Sequence, residues 1–250
     1  MKWVTHLRIA RAIGYALGIG KELTDLLCEA SISPDKNPDE YLHISFGGKT
    51  RASRLPHHIP KPSLIMHYVW LARKAFLQSD YSKAIYNLGR ALHCIQDMSL
   101  TSKFTNMTHS SRELEASNFQ IMYEAINKGI AYARPSPTLI EELVKKIKPK
   151  TEPDEILWQA TLCSTIVAKA VLSEKEAPSA LKSSFKRVNE RHRKIVIPIA
   201  IGICAVSLVA SLALLNPLPM IIGPILSYLT NALDLQYHKL KKEIEWFKSF

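Results

Sequence analysis

Apolar residues recur every three or four positions along most of the chain, the spacing of one face of an α-helix. The spacing predicts helices over residues 3–19, 63–78, 81–98, 109–132, 136–147 and 153–175. Asp80 is suited to cap the helix over 81–98, because a side-chain carboxylate accepts hydrogen bonds from the first free N–H groups. No segment shows the alternation of a strand, so the pattern predicts an all-α fold.

Residues 31–62 interrupt the helical pattern. This stretch, SISPDKNPDEYLHISFGGKTRASRLPHHIPKP, is rich in proline, glycine, serine and aspartate. That composition predicts a long loop. A loop of this length inside a domain is usually functional or disordered.

The composition changes abruptly near residue 180. The segment LKSSFKRVNERHRK is dense in lysine and arginine, and no charged residue follows between Ile195 and Leu233. The apolar run from Ile195 to Leu215 matches the roughly 20 residues that cross a bilayer. A shorter apolar run, MIIGPILSYLTNAL, follows the break at NPLP. We therefore divide the chain into a helical domain, 1–178, and an apolar tail with basic flanks, 179–250.

Two interpretations of the tail compete: a membrane hairpin and a pair of buried core helices. Positively charged flanks stay in the cytoplasm, and a hairpin keeps both flanks on one side, whereas a single span would misplace one of them. The basic cluster also suits anionic headgroups. We expect membrane association with the helical domain on the cytoplasmic side, although the second run is short for a full span.

The overall composition narrows the classes of molecule that the chain is expected to bind. The 250-residue chain carries a net charge of +11, which favours nucleic acid, a phospholipid surface or a phosphorylated substrate, although many ordinary proteins are basic. The four cysteines are far apart and form no CxxC pair. This spacing argues against a zinc knuckle and a disulfide framework, and it favours a reducing compartment.

His93 and Asp97 are four residues apart on the predicted helix 81–98, so both side chains leave the same, mostly apolar face. His109 and Glu113 repeat this spacing. Helices build zinc sites from imidazole and carboxylate side chains at this spacing. The alternatives are a structural His–Asp pair and, for His109 and Glu113, a cap and a surface pair.

Other residues extend this set. His6 lies early in the first helix, Asp35 lies in the predicted loop, and His57 and His58 lie near the end of that loop. Each alone is compatible with an ordinary polar role. Together with the two pairs they form a candidate metal-ligand set: His6, Asp35, His57, His58, His93, Asp97, His109 and Glu113.

Several blocks resemble one family in the same order along residues 3 to 130. They are THLRIARAIG, SPDKNPDE, LPHH, LGRALHCIQDMSLTS and HSSRE. They are similar to the zinc-dependent phospholipase C and P1/S1 nuclease superfamily, and most similar to its prokaryotic branch. ALHCIQD is the most specific block, and the tail lies outside the resemblance.

The resemblance implies an all-helical, phospholipase C-like bundle that binds three zinc ions in a cleft. It implies that His6 ligates one ion of a close pair, and that Asp35 and His93 ligate the other. It also implies that Asp35 is the general base and that Asp97 bridges the pair. His58, with His57 as the alternative, is implied as a further ligand, and His109 and Glu113 as ligands of the third ion.

Two departures from the family affect the number of ions. The secreted enzymes begin with a tryptophan whose amino group and carbonyl bind metal, whereas here Trp3 follows Met1 and Lys2. The family histidine about six residues after the bridging aspartate is absent, and Lys103 lies in that neighbourhood. The most complete ligand set is therefore Asp35, His58, His93 and Asp97, a second ion has fewer ligands, and a third has two.

The expected function is a membrane-associated, zinc-dependent phosphodiester hydrolase acting on phospholipid. A metal-dependent nuclease on the same site is one alternative, and the basic charge fits it. The absence of a disulfide framework argues against it, because the family's nucleases tend to have disulfides. The other alternative is a membrane-bound, metal-binding protein without catalytic activity.

Overall fold

The computed structural model of the chain describes residues 1–37, 60–100 and 120–248, together with the backbone of 40–44 and 50–54. These residues form two compact units. The first unit contains Met1–Glu174, and the second contains Lys175–Phe247.

The first unit is built almost entirely of helices, so the predicted helical fold class is confirmed. Its helices are α1 (Trp3–Ala16), α2 (Lys21–Lys36), α3 (Pro62–Leu77), α4 (Tyr81–Met98), α5 (Tyr123–Tyr132), α6 (Pro137–Lys146) and α7 (Pro153–Val171). Asp80 caps α4 as expected, accepting a hydrogen bond from the backbone N–H of Lys83. The cap fixes the start of the helix that carries two of the candidate ligands.

The prediction of an unbroken loop over residues 31–62 is wrong at two places. Helix α2 continues to Lys36, so Asp35 lies on a helix. Strands β1 (Glu40–Ile44) and β2 (Thr50–Arg54) then form an antiparallel pair, although no strand was predicted. Both strands are only five residues long and lack the strict alternation of apolar and polar residues that would have revealed them.

Helix α2 accommodates a proline in its last turn because a neighbouring side chain replaces the lost hydrogen bond. Pro34 has no N–H to donate to the carbonyl of Ala30. The hydroxyl of Ser33 donates to that carbonyl instead, at 2.9 Å. This local exchange carries the helix through to Asp35.

The core of the first unit lies around α4, which packs mainly against α2, α3 and α7. Every residue from Asn87 to Asp97 is buried. A Cβ atom on Gly89 would lie 2.4 Å from the Cβ atom of Ala30. A glycine is therefore required where the backbones of α2 and α4 approach.

A buried arginine closes the end of α7. Arg73 is fully buried on α3 and donates hydrogen bonds to the carbonyls of Val171, Ser173 and Glu174. Val171 is the last residue of α7, where a helix leaves carbonyls without partners, and Ser173 and Glu174 lie just beyond the end of the helix. Burial lowers the pKa of Arg73 to about 10, so the side chain is cationic at neutral pH.

The second unit contains a long helix that begins as α8 (Ser179–Arg191), continues through a π-helical turn (His192–Val196) and ends as α9 (Ile197–Leu214). It is followed by α10 (Leu218–Ala232) and α11 (Leu235–Glu245). One helix, Ser179–Leu214, is long and apolar enough to cross a membrane, and α10 with α11 qualifies only as a bent pair.

Helices α9 and α10 pack against each other as an antiparallel hairpin. A Cβ atom on Gly223 would lie 2.4 Å from the side chain of Ser207, so the two helices touch at small residues. At the turn, the hydroxyl of Ser211 donates to the carbonyl of Asn216 at 2.7 Å. The outward surfaces of both helices carry large, exposed apolar side chains.

The open end of the hairpin is joined by polar contacts. Asp234, which caps α11, accepts hydrogen bonds from Arg191 and from His192 Nδ1. The His192 ring stacks on the Tyr237 ring, with the ring centroids 3.7 Å apart. Burial raises the pKa of Asp234, but the hydrogen bonds from His192 and Tyr237 and the charge of Arg191 outweigh it and leave that pKa below its ordinary value.

Candidate metal centre

Four of the predicted metal ligands meet in the core of the first unit. His6 comes from α1, Asp35 from α2, and His93 and Asp97 from α4. The ligand atoms of His6, Asp35 and His93 all lie within 4.8 Å of one another. Nε2 of His93 lies 3.6 Å from Oδ1 of Asp35. The fold therefore assembles from distant segments a group of donors that could share a metal ion.

The Asp97 carboxylate lies between the two histidines. Its Oδ1 atom is 3.4 Å from Nε2 of His6, and its Oδ2 atom is 3.3 Å from Nε2 of His93. The two imidazole rings stack, with centroids 4.4 Å apart. One carboxylate oxygen thus faces each imidazole nitrogen.

The α-amino group of Met1 also reaches this carboxylate. It donates to Oδ1 of Asp97 at 2.6 Å, and the pair is buried. Trp3, which the family comparison singled out, is 48% exposed, and the amino group that reaches the site is that of Met1. The short extended segment before α1 turns the amino group of Met1 inward.

Both histidines are held through Nδ1 by oxygen atoms. The Nδ1 atom of His93 lies 2.9 Å from the backbone carbonyl oxygen of Ser31. The Nδ1 atom of His6 lies 2.6 Å from Oε1 of Gln96, whose Nε2 lies 3.3 Å from the hydroxyl of Ser164 on α7. These contacts orient both rings so that Nε2 faces the carboxylates.

The close approach of α2 and α4 explains how a backbone carbonyl reaches His93. Gly89 lies one helical turn before His93, and a Cβ atom there would come within 2.9 Å of the backbone nitrogen of Ser31. Without a side chain at this position, the α2 backbone can lie directly against α4. Ser31 and Asp35, one turn apart on α2, then both face His93.

Burial differs across the site. His6 and His93 are fully buried and Asp97 is 4% exposed, whereas 11% of the Asp35 side chain is exposed. Burial is the main cause that lowers the pKa of His6, and the charge of His93 adds to it, against the raising effect of Asp97. His6 is therefore neutral at pH 7, the form in which an imidazole binds metal.

The donor set suits zinc and other divalent transition metals. Imidazole nitrogen and carboxylate oxygen are both common zinc ligands. Nε2 of His6 makes no well-aligned hydrogen bond to any residue that the structure describes. Because a buried polar atom normally has a partner, this atom fits a metal ligand.

Four predicted ligands lie outside the described residues: His57, His58, His109 and Glu113. Lys103 lies outside them as well. The predictions of a further histidine ligand and of a third ion at His109 and Glu113 are therefore not addressed by the described part of the chain.

The structure adds groups to the site that sequence patterns did not single out. Gln96 and Ser164 are buried polar residues, and the first lies within the ALHCIQD block. A polar residue three positions after His93 on a buried helix could have drawn attention to Gln96. The Ser31 carbonyl and the Met1 amino group are backbone groups, which leave no signal in a sequence.

Comparison with known proteins adds no further assignment, because the chain matches no family model, no curated protein and no solved structure.

Proposed function

We propose that the protein is a membrane-associated, zinc-dependent phosphodiester hydrolase of the phospholipase C type. The observation that carries this proposal is the buried group formed by His6, Asp35, His93 and Asp97. Asp97 is buried, Asp35 is half-buried, and both carboxylates lie within 3.6 Å of Nε2 of His93, so they repel each other unless a cation lies nearby. A divalent cation at these donors would offset that repulsion, together with the ammonium group of Met1.

The geometry suggests how the chain would hold zinc. His93 and Asp35 would ligate one ion, His6 would ligate a second, and Asp97 would offer one oxygen to each. Zinc, when bound, lowers the pKa of water to about 7 and stabilises charge on phosphoryl oxygens.

Asp35 is the residue best placed to handle the proton of the attacking water. It is the most exposed of the four side chains, so water and substrate would approach the cluster on its side. A carboxylate can ligate an ion through one oxygen and accept a proton at the other. His93, Asp97 and His6 are too buried for this role and are suited to holding the metal.

The second unit favours a lipid substrate over a nucleic acid. Within α9, Ala200 is the one buried residue, so the helix does not have the buried surface of a core helix. The antiparallel packing and the Asp234 contacts bring both basic flanks to one end of the hairpin. We infer that the hairpin inserts into a membrane from its cytoplasmic side and holds the hydrolase at the lipid surface.

The test is a substrate comparison on the full chain, purified in detergent and supplied with zinc. We expect hydrolysis of phospholipid to diacylglycerol and a phosphorylated headgroup. The His93→Ala variant should lose this activity, and His67→Ala should retain it, because His67 is an exposed histidine on α3.

The same assay separates the alternatives. Cleavage of single-stranded oligonucleotide, lost in His93→Ala while phospholipid stays intact, would contradict the lipid substrate and support the nuclease. Zinc binding without hydrolysis of either substrate would contradict the enzyme proposal and favour the non-catalytic interpretation.

A further inference from the structure

The chain of buried contacts from His6 through Gln96 to Ser164 extends the candidate metal centre into α7. His6, Gln96 and Ser164 are all fully buried. The three polar groups therefore have no access to water and must satisfy one another. The Gln96 amide reaches the cluster through His6, because its Oε1 lies 2.6 Å from Nδ1 of that ring.

The two histidines of the cluster differ in what fixes the ring nitrogen that carries the proton. The Ser31 carbonyl can only accept a hydrogen bond, so Nδ1 of His93 must carry the proton when that ring is neutral. Gln96 offers His6 an amide, which could present either its oxygen or its nitrogen. The structure places Oε1 at 2.6 Å from Nδ1 of His6 and Nε2 toward Ser164.

This orientation of the amide has a direct chemical consequence. With Oε1 as acceptor, Nδ1 of His6 carries the proton, and Nε2 keeps a lone pair that faces Asp97. With the amide reversed, Nδ1 would accept from Gln96, and Nε2 would carry the proton. A protonated Nε2 cannot bind metal, so the Gln96 amide determines whether His6 can act as a ligand.

We propose that Gln96, held at its amide nitrogen by Ser164, is a positioning residue that fixes the Nδ1-protonated tautomer of His6 and thereby makes Nε2 a metal ligand. This inference rests on the metal centre of the proposed function. Partners that contact a ligating histidine through its other ring nitrogen affect metal affinity by about 10- to 100-fold. A neutral amide supplies the acceptor without adding a third negative charge beside Asp35 and Asp97.

The first measurement is the tautomer of His6 in the metal-free full chain in detergent. Nitrogen-15 labelling of the histidines distinguishes a protonated ring nitrogen from an unprotonated one, and the His6→Asn spectrum identifies the His6 signals. We expect wild-type His6 to show a protonated Nδ1 and an unprotonated Nε2. A protonated Nε2 in the wild type would overturn the proposal.

The second measurement is cobalt binding, followed by its visible absorption, in four variants. Gln96→Met removes the acceptor at similar size, and we expect weaker binding by about 10- to 100-fold and a loss of the single His6 tautomer. Gln96→Glu restores an acceptor oxygen and should restore the tautomer. Ser164→Ala should have a smaller effect than Gln96→Met, because it removes only a hydrogen bond of the amide nitrogen and leaves the acceptor oxygen in place.

Thr161→Val is the matched packing control. Thr161 is fully buried on α7, one helical turn before Ser164, and its hydroxyl makes no hydrogen bond to Gln96, so the change perturbs the same region without removing a hydrogen bond of the amide. Binding in this variant should equal that of the wild type.

The result separates this inference from the proposed function. If the wild type binds cobalt and Gln96→Met binds it equally well with an unchanged His6 tautomer, the role of Gln96 is wrong and the metal centre stands. If the wild type binds no metal, the ligand role of His6 and the proposed function are both overturned. The tautomer of His6 is measured in the metal-free chain, so that measurement gives its answer whether or not the wild type binds cobalt.

Discussion

The two units of this protein distribute polar and apolar side chains in opposite ways. In the first unit, His6, His93 and Asp97 are buried in the core. In the second unit, large apolar side chains are exposed, as Tyr228 and Leu215 show at 71% and 93%. Both arrangements are unfavourable for a chain that is surrounded only by water.

Each arrangement becomes favourable with a different partner. A cation compensates buried carboxylates, and a bilayer compensates exposed apolar helices. Because a cation compensates the first unit and a bilayer compensates the second, a substitution in the hairpin should leave metal binding unchanged. A substitution in the metal cluster should likewise leave membrane binding unchanged. The following predictions test this difference, from the largest expected effect to the smallest.

Charges placed on the apolar hairpin should release the protein from membranes. Val206 and Val209 are exposed near the middle of α9. An arginine at the centre of a membrane helix costs about 2.5–3.5 kcal/mol, so Val206→Arg with Val209→Arg should cost about 5–7 kcal/mol. Flotation with vesicles measures the change. Leu139→Arg on α6 is the control, and retention of the double variant in the membrane fraction would contradict the hairpin.

Removal of the Arg73 side chain should destabilise the first unit without altering the metal site. Arg73→Met leaves the carbonyls at the end of α7 without their donor, at an expected cost of about 2–4 kcal/mol. Thermal unfolding measures the loss, and Lys74→Met on the exposed side of α3 is the control. Metal content per folded chain should stay at the wild-type value, and its loss would show that the site is less local than the contacts imply.

Gly89→Ala should separate α2 from α4 and weaken metal binding. The added Cβ atom would lie 2.4 Å from Ala30, and such overpacking costs about 1–3 kcal/mol. The shift would also move the Ser31 carbonyl and Asp35 away from His93. Zinc affinity and thermal unfolding measure both effects, with Gly20→Ala as the control because its added Cβ atom meets nothing within 4 Å. Unchanged zinc affinity would contradict the positioning role of this contact.

The stability of the metal-free chain should fall as the pH decreases below the ordinary histidine range. Burial lowers the pKa of His6 in the folded state. Between the folded and unfolded pKa values of His6, the unfolded chain therefore binds a proton at this residue that the folded chain does not bind. The stabilisation is complete above the unfolded pKa of about 6.5 and declines as the pH falls toward the folded value. Denaturant unfolding at several pH values measures the slope. His6→Gln should flatten it, and His67→Gln should not.

The part of the site on α4 could be predicted from sequence because its geometry is local. Helical spacing alone places His93 and Asp97 on one face, and the apolar neighbours indicate that this face is buried. The meeting of these residues with His6 and Asp35 depends on tertiary packing. The residue pattern offered His6 and Asp35 as candidate ligands, the family resemblance implied that they join His93 and Asp97, and the structure brings the four side chains together.

The remaining errors have specific physical causes. Pro34 suggests the end of α2, but the Ser33 hydroxyl replaces the missing donor and the helix continues through Asp35. The contact between Met1 and Asp97 could not be predicted from residue type, because it uses the terminal amino group.

The apolar tail was predicted from length and charge, which are the properties that a bilayer selects.

The central claim is that the buried cluster of the first unit holds metal, and metal content per chain tests it most directly. The full chain, purified in detergent with zinc and then freed of loosely bound metal, should contain one or two zinc ions. Both His93→Ala and Asp97→Ala should lose them while keeping their helical content. A folded wild-type chain that retains no tightly bound metal would contradict the account and leave the cluster as a structural contact.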